Sequence, residues 1–150
     1  MGRSLTIKCK ECDYSKTLML GIGMLYSPDR IIDFDTEDNS LPDIIKSKEI
    51  IEQMKKLIQT KGGILRNSYE HKAYYCPDCS YITERFFFQI DYKDGIFEPT
   101  YNCPECNKSL EIMQLELNKL GGHLDFSSYS CPSCGQHSLV EDYESIIMWD

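Results

Sequence analysis

Eight of the 150 residues are cysteines, and they fall into four pairs with two residues between the members: Cys9/Cys12, Cys76/Cys79, Cys103/Cys106 and Cys131/Cys134. A disulfide scaffold has no reason to repeat that interval, because a bridge is governed by Cα separation in space and gains nothing from a short sequence spacing. A tetrahedral metal does need it. Two thiolates converge from one short turn and leave two positions for a second turn. Four pairs with no cysteine left over predict two four-cysteine metal sites. Such a site is closed: four thiolates fill the coordination sphere and leave no position for water or substrate.

The residues around the cysteines agree. Three turns read Cys-Pro-x-Cys, as Cys76-Pro77-Asp78-Cys79, Cys103-Pro104-Glu105-Cys106 and Cys131-Pro132-Ser133-Cys134. Proline holds φ near the value a tight turn uses and removes a competing donor. The next position is Asp13, Ser80, Asn107 or Gly135, and Gly, Asn and Asp best tolerate a left-handed backbone that turns N–H groups toward the sulfurs. Over residues 9–14, 76–81, 103–108 and 131–136 the chain resembles the zinc-ribbon proteins, whose knuckles read Cys-Pro-x-Cys-Gly on paired β-hairpins. Gly135 carries that family's glycine, and Lys10 stands where the first knuckle would have its proline. The resemblance implies a fold element and a metal, and no reaction. Cys12-Asp13-Tyr14 and Cys79-Ser80-Tyr81 also resemble a rubredoxin knuckle with its following aromatic, so iron is a rival for the same ligands. The expected cofactors are two Zn2+ ions.

Other chemistry finds little support. Redox Cys-x-x-Cys pairs sit between a strand and a helix, whereas strand-like runs such as Tyr81–Ile90, Leu110–Leu117 and Ser138–Tyr143 follow these pairs. His71, His123 and His137 are the only histidines; with no metal ligand missing they read as surface or half-buried side chains. The zinc-deaminase signature, in which a proline precedes the first cysteine, is absent. No nucleophile motif or fixed acid/base pair is visible, so no catalytic residue is assigned. Gly21 and Gly23 lack the rest of a phosphate-binding loop and read as a place where another backbone or an aromatic ring comes close.

Sixteen Lys and Arg against 24 Asp and Glu give a formal charge of −8, which becomes −12 with eight thiolates and two divalent ions. Counterion release on nucleic acid favours the opposite sign. The densest basic cluster, Lys46, Lys48, Lys55, Lys56 and Lys61, is interleaved with Glu49 and Glu52 and reads as a solvated helix face. Metal-bound thiolates predict a reducing compartment. Met1–Leu20 shows no secretory pattern, and the run Leu18–Tyr26 is too short to span a bilayer. The expectation is a cytoplasmic protein.

The elements that must position the cysteines can be read in outline. Residues 5–12 enter the first knuckle as a strand and Thr17–Tyr26 leaves it. Asp29–Phe34 suggests a helical turn. Ser40 as N-cap, Pro42 and Asp43 in the first turn, and Gly62-Gly63 as the stop predict one amphipathic helix over Leu41–Lys61, with Ile44, Ile51, Met54 and Ile58 recurring at helical spacing. Ile64–Cys76 leads to the second knuckle. Tyr81–Tyr92 and Ile96–Asn102 form a hairpin turning at Lys93-Asp94-Gly95. Leu110–Leu117 and Leu124–Ser130 turn at Gly121-Gly122, and Ser138–Asp150 closes the chain, its apolar end with Trp149 docking on the fold.

The fold class predicted is α+β, small and β-rich: two zinc-ribbon units of β-hairpins, with one amphipathic helix inserted in the first. Because sequential neighbours pair in space, Cys9/Cys12 is expected to share a metal with Cys76/Cys79, and Cys103/Cys106 with Cys131/Cys134. That places one ribbon in residues 1–100, with its helical insertion at about 28–62, and a second in 101–150. The 23-residue link between Cys79 and Cys103 makes the alternative feasible, in which the middle pairs meet and the first pair meets the last. The function expected is a non-enzymatic zinc protein that docks on another protein. The alternatives are a nucleic-acid-binding ribbon, with Tyr74, Tyr75, Phe86, Phe88 and Tyr101 available to stack bases, and a rubredoxin-like iron electron carrier.

Overall fold

The computed structural model describes residues 2–23, 26–35, 41–117, 123–145 and 147–149. Its elements run, in chain order, β1 (Gly2–Cys9), β2 (Ser15–Leu20), α1 (Pro28–Ile32), α2 (Leu41–Ile44), α3 (Lys48–Lys61), β3 (Ile64–Leu65), β4 (Glu70–Tyr75), β5 (Ile82–Phe87), β6 (Ile90–Tyr92), β7 (Gly95–Phe97), β8 (Glu111–Ile112), β9 (Leu139–Asp142) and β10 (Met148–Trp149). The fold is α+β, small and rich in short strands.

β1 is the centre of the first sheet. Its apolar residues Leu5 and Ile7 alternate toward one face, joined by Leu18 and Leu20 of β2 in a register from Arg3↔Leu20 to Lys8↔Ser15. On the other edge of β1 the chain's last segment returns: β9 pairs with Thr6–Cys9 and β10 with Gly2 and Arg3. Between β9 and β10 the segment is pinned at Ser4, whose hydroxyl accepts from the Ile147 N–H at 2.7 Å and whose own N–H donates to the Ile147 carbonyl at 2.7 Å. The terminal segment thus docks on the fold as strand pairing, with Ile147 and Met148 exposed. Lys8 and Asp142 close the ladder with an ion pair at 2.5 Å.

The second sheet repeats this order. β4 is central, with β5 on one edge and β8 on the other. The two sheets share a core in which Ala73 and Ile82 meet Leu5, Ile7, Leu18 and Leu20. Gly21 joins them at the edge: its N–H and C=O exchange bonds with the backbone of His71 at 2.9 and 2.7 Å. Its φ of 84° is one that side-chain-bearing residues avoid. β2 therefore stops at Leu20, short of the expected Tyr26, and the close approach expected of this glycine is a backbone pairing. Met24 and Leu25 lie outside the described residues.

The predicted helix over Leu41–Lys61 is two helices. α2 ends at Ile44 and α3 starts at Lys48, capped by Ser47, whose hydroxyl accepts from the Ile50 N–H at 3.4 Å and donates to Glu49 at 2.8 Å. Ser40 lies outside the described residues. At the break adjacent Ile44 and Ile45, 8% and 1% exposed, both enter the core. The stop is as the sequence predicts: Gly62 takes φ 62°, and a Cβ on Gly63 would lie 2.7 Å from Ile90 Cγ2 and 2.9 Å from the Leu57 carbonyl oxygen. The helices cover a second core with Tyr74, Phe86, Phe88 and Ile90.

The third sheet, β3-β6-β7, holds the expected turn at Lys93-Asp94, with Tyr92 opposite Gly95. The strand leading to it divides at residues 88–89 between two sheets. Phe86, Phe87 and Phe88 are all buried, at 1%, 6% and 0% exposure. A strand points alternate side chains to opposite faces, so three consecutive buried rings need cover on both sides. The predicted turn at Gly121-Gly122 lies outside the described residues; Leu117 and Leu124 bridge across it. Among the described residues, no helix is long and apolar enough to cross a membrane.

Two substitutions test this packing by chemical denaturation. Gly63→Ala is expected to destabilise the protein by about 1–3 kcal/mol, because Ile90 and the Leu57 carbonyl leave no space. Ser47→Ala is expected to cost about 1 kcal/mol through loss of the cap.

Candidate metal centres

Each knuckle lies at the tip of a chain reversal, and one bond recurs in all four. The N–H of the first cysteine donates to the carbonyl five residues on: Cys9 to Tyr14 (3.0 Å), Cys76 to Tyr81 (2.8 Å), Cys103 to Lys108 (2.7 Å) and Cys131 to Gln136 (2.8 Å). In the three proline knuckles a second bond tightens the turn, from Ser80, Asn107 and Gly135 back to the first cysteine's carbonyl at 2.8–2.9 Å. These residues have φ of 64°, 59° and 74°. The first knuckle differs. Asp13 is not left-handed, and Lys10, standing in place of proline, donates its N–H to the Ser138 carbonyl at 3.0 Å. That bond carries the β1–β9 ladder one step past Cys9. A proline there has no N–H to give.

The eight cysteines gather into two clusters, Cys9, Cys12, Cys131 and Cys134 in one and Cys76, Cys79, Cys103 and Cys106 in the other, with sulfurs within 4.8 Å of one another. The expected pairing of Cys9/Cys12 with Cys76/Cys79, and of Cys103/Cys106 with Cys131/Cys134, is therefore corrected: the middle knuckles meet each other and the first meets the last. Strand pairing is the reason. β9, which follows the fourth knuckle, pairs with β1, which precedes the first; β8, which follows the third, pairs with β4, which precedes the second. The two units thus share one plan, β9-β1-β2 and β8-β4-β5, and the second is nested inside the first. The division expected at residue 100 runs through both clusters.

The geometry fits zinc. Sulfur separations across knuckles are 3.6 Å for Cys9–Cys134 and Cys12–Cys131, 3.4 Å for Cys76–Cys106 and 3.5 Å for Cys79–Cys103. A tetrahedron with Zn–S bonds of about 2.3 Å has sulfur–sulfur edges of about 3.8 Å, whereas a disulfide is about 2.05 Å long. Backbone N–H groups support the thiolates. Glu11 and Ser133 donate to the sulfurs of Cys9 and Cys131 at 3.4 Å. Tyr14, Tyr81, Lys108 and Gln136 do so for Cys12, Cys79, Cys106 and Cys134. The Tyr14 N–H leads in bringing Cys12 down to about 7. At Cys79 and Cys134 the N–H bonds from Tyr81 and Gln136 also favour the thiolate. Burial and shared hydrogen bonds with the neighbouring sulfurs outweigh them and push both thiols up to about 12. Four adjacent sulfurs lose all their protons together only to a cation.

The clusters differ in exposure. Cys9, Cys76, Cys103 and Cys131, the first cysteine of each knuckle, are buried; Cys12, Cys79 and Cys106 are half-buried; Cys134 alone among the eight is exposed. Each cluster borders a different core, Cys9 and Cys131 the sheet–sheet core, Cys76 and Cys103 the core under the helices. Between them sits a hydroxyl triad that no motif announces: Tyr75 with Ser80 (3.2 Å) and Ser130 (2.9 Å), and the two serines with each other (2.5 Å). Ser80 follows Cys79 and Ser130 precedes Cys131, so the triad ties a knuckle of one site to a knuckle of the other.

The histidines lie elsewhere. His71 packs edge-on against Phe86, and burial lowers its pKa; His123 meets the Tyr143 ring edge-on at 4.4 Å; His137 Nδ1 is 2.9 Å from the Ser127 carbonyl. Of the aromatics considered for base stacking, Tyr74, Phe86, Phe88 and Tyr101 are buried and Tyr75 is half-buried against Tyr129.

These features define a class, a small β-rich protein with two four-cysteine clusters that have the geometry of zinc-binding knuckles. No protein-family model matches the chain, and it has no significant match among curated proteins or solved structures.

Two measurements check the sites. Metal analysis is expected to find two zinc ions per chain, falling to one in Cys134→Ser and in Cys76→Ser. A chelator followed by native mass spectrometry is expected to remove the Cys9/Cys12/Cys131/Cys134 ion first, because Cys134 faces solvent. Lys10→Pro is expected to hasten that release by deleting the bond to Ser138.

Proposed function

We propose that this chain is a non-catalytic, zinc-stabilised module that docks on another protein. The observation that carries the reading is the closure of both clusters. Every cysteine is used and each cluster supplies four sulfurs, so a bound zinc keeps no open position for chemistry. Zinc then acts on folding, where structural sites in small modules contribute on the order of 10–16 kcal/mol of apparent free energy. Thiolates held in this way call for a reducing compartment, and we place the protein in the cytoplasm on that ground.

Binding to nucleic acid draws less support. The formal charge of −8 opposes it, and four of the five aromatics that would stack bases are buried in the core. Iron in place of zinc would use the same ligands; it would colour the protein red.

Affinity capture with the zinc-loaded chain is expected to recover one partner in stoichiometric amount, and recovery of none would count against docking. A colourless protein with two zinc ions excludes the electron-carrier alternative.

A further inference from the structure

The two residues ahead of the fourth knuckle are held by the nested unit, whose cysteines Cys76, Cys79, Cys103 and Cys106 form the inner site. Ser130, directly before Cys131, bonds Tyr75 at 2.9 Å and Ser80 at 2.5 Å. Those partners stand on either side of one inner knuckle, Tyr75 before Cys76 and Ser80 after Cys79. Tyr75 also donates to Ser80 at 3.2 Å. Three half-buried hydroxyls thus close a ring in which each donates once and accepts once. Ser80 is fixed by the knuckle itself, with φ of 64° and its N–H donating to the Cys76 carbonyl at 2.8 Å.

Tyr129 makes a second link. Its ring meets that of Tyr75 edge-on at 5.0 Å, and its hydroxyl accepts from the Gln114 N–H at 2.6 Å. Gln114 follows Met113, whose N–H donates to the Ala73 carbonyl on β4 at 2.9 Å. Residues of the inner unit therefore place the chain that delivers Cys131 to the outer site, where it joins Cys9, Cys12 and Cys134.

The two sites also differ in what they must bring together. Across the inner site the facing cysteines are 24 and 30 residues apart, and across the outer one 119 and 125. The longer loop costs more entropy to close. A formed inner unit shortens that loop and seats Cys131 in advance.

We propose that the Tyr75–Ser80–Ser130 ring couples the two metal sites, so that zinc at the inner site tightens zinc at the outer one and, by reciprocity, the outer ion tightens the inner. Loading runs inner site first, and loss of the outer ion leaves the inner ion easier to remove. The coupling depends on zinc at both sites and is independent of docking.

The test is a zinc titration of the ¹⁵N-labelled full chain, buffered by a competing chelator. Amide signals of Asp78 and Glu105 report occupancy of the inner site, and those of Glu11 and Ser133 report the outer. Cys134→Ser, at the exposed ligand, empties the outer site and is expected to weaken inner-site zinc about tenfold. Ser130→Ala removes no ligand, yet is expected to account for most of that loss. Added to Cys134→Ser it is expected to change nothing further, because the bonds it deletes act on the inner site only while the outer ion holds Cys131 in place. Tyr75→Phe is expected to follow the same pattern, and Ser130→Ala carries the test if that variant does not fold.

The proposal is overturned if Cys134→Ser or Ser130→Ala leaves inner-site zinc unchanged, or if the outer site fills first. It is also overturned if the two losses multiply in the double variant, which would make Ser130 a structural support for the inner site whatever the state of the outer one.

Discussion

Four sulfurs share one divalent cation only when two chain reversals meet tip to tip, and most of this structure exists to bring about two such meetings. A reversal by itself presents two thiolates. The other two must arrive from a distant part of the chain, 119 or more residues away across the Cys9/Cys12/Cys131/Cys134 cluster and 24 or more across the other. Hydrogen-bond ladders deliver them. β1 and β4 each hold one knuckle at their end, and β9 and β8 bring the partner knuckle alongside. Metal and sheet are therefore mutually dependent: the ion fixes a register that short strands of two to four residues hold weakly, and the strands place the sulfurs within reach of the ion.

The nested arrangement follows from this dependence. The unit built on β4 is formed from a continuous middle stretch and contains its own four cysteines, whereas the unit built on β1 closes only when β9 and the fourth knuckle return to β1. The two are not independent, because Ala73 and Ile82 of the inner unit complete the core under Leu5, Ile7, Leu18 and Leu20 of the outer one. The Tyr75–Ser80–Ser130 triad adds a polar link between their metal sites. Lys10 is the local adaptation that the outer site requires. It gives up the turn-fixing proline of the other knuckles and gains an N–H that binds Ser138.

Several elements were legible because their causes are local. Gly62-Gly63 ends a helix because one residue needs a left-handed backbone and the next has no room for a Cβ. Lys93-Asp94-Gly95 turns a hairpin, and the left-handed positions after Cys79, Cys106 and Cys134 fall on Ser80, Asn107 and Gly135. Other features were hidden because packing on two sides decides them. The helix restarts at the Ser47 cap with Ile44 and Ile45 both buried ahead of it, and the aromatic strand divides where Phe86, Phe87 and Phe88 all find cover.

The metal sites divide along the same line. Residue type and the two-residue interval determined by themselves that eight thiolates would serve two tetrahedral ions, because that geometry is satisfied within a single turn. Which turns face each other depended on strands 36 to 136 residues apart in the chain finding their edges, and interval lengths do not encode edges. Neighbouring knuckles in sequence gave the wrong partners for that reason. Tertiary structure alone decided that β1 stands at the centre of its sheet, that the chain's end closes on its beginning, and that Cys134 is the sulfur left facing water.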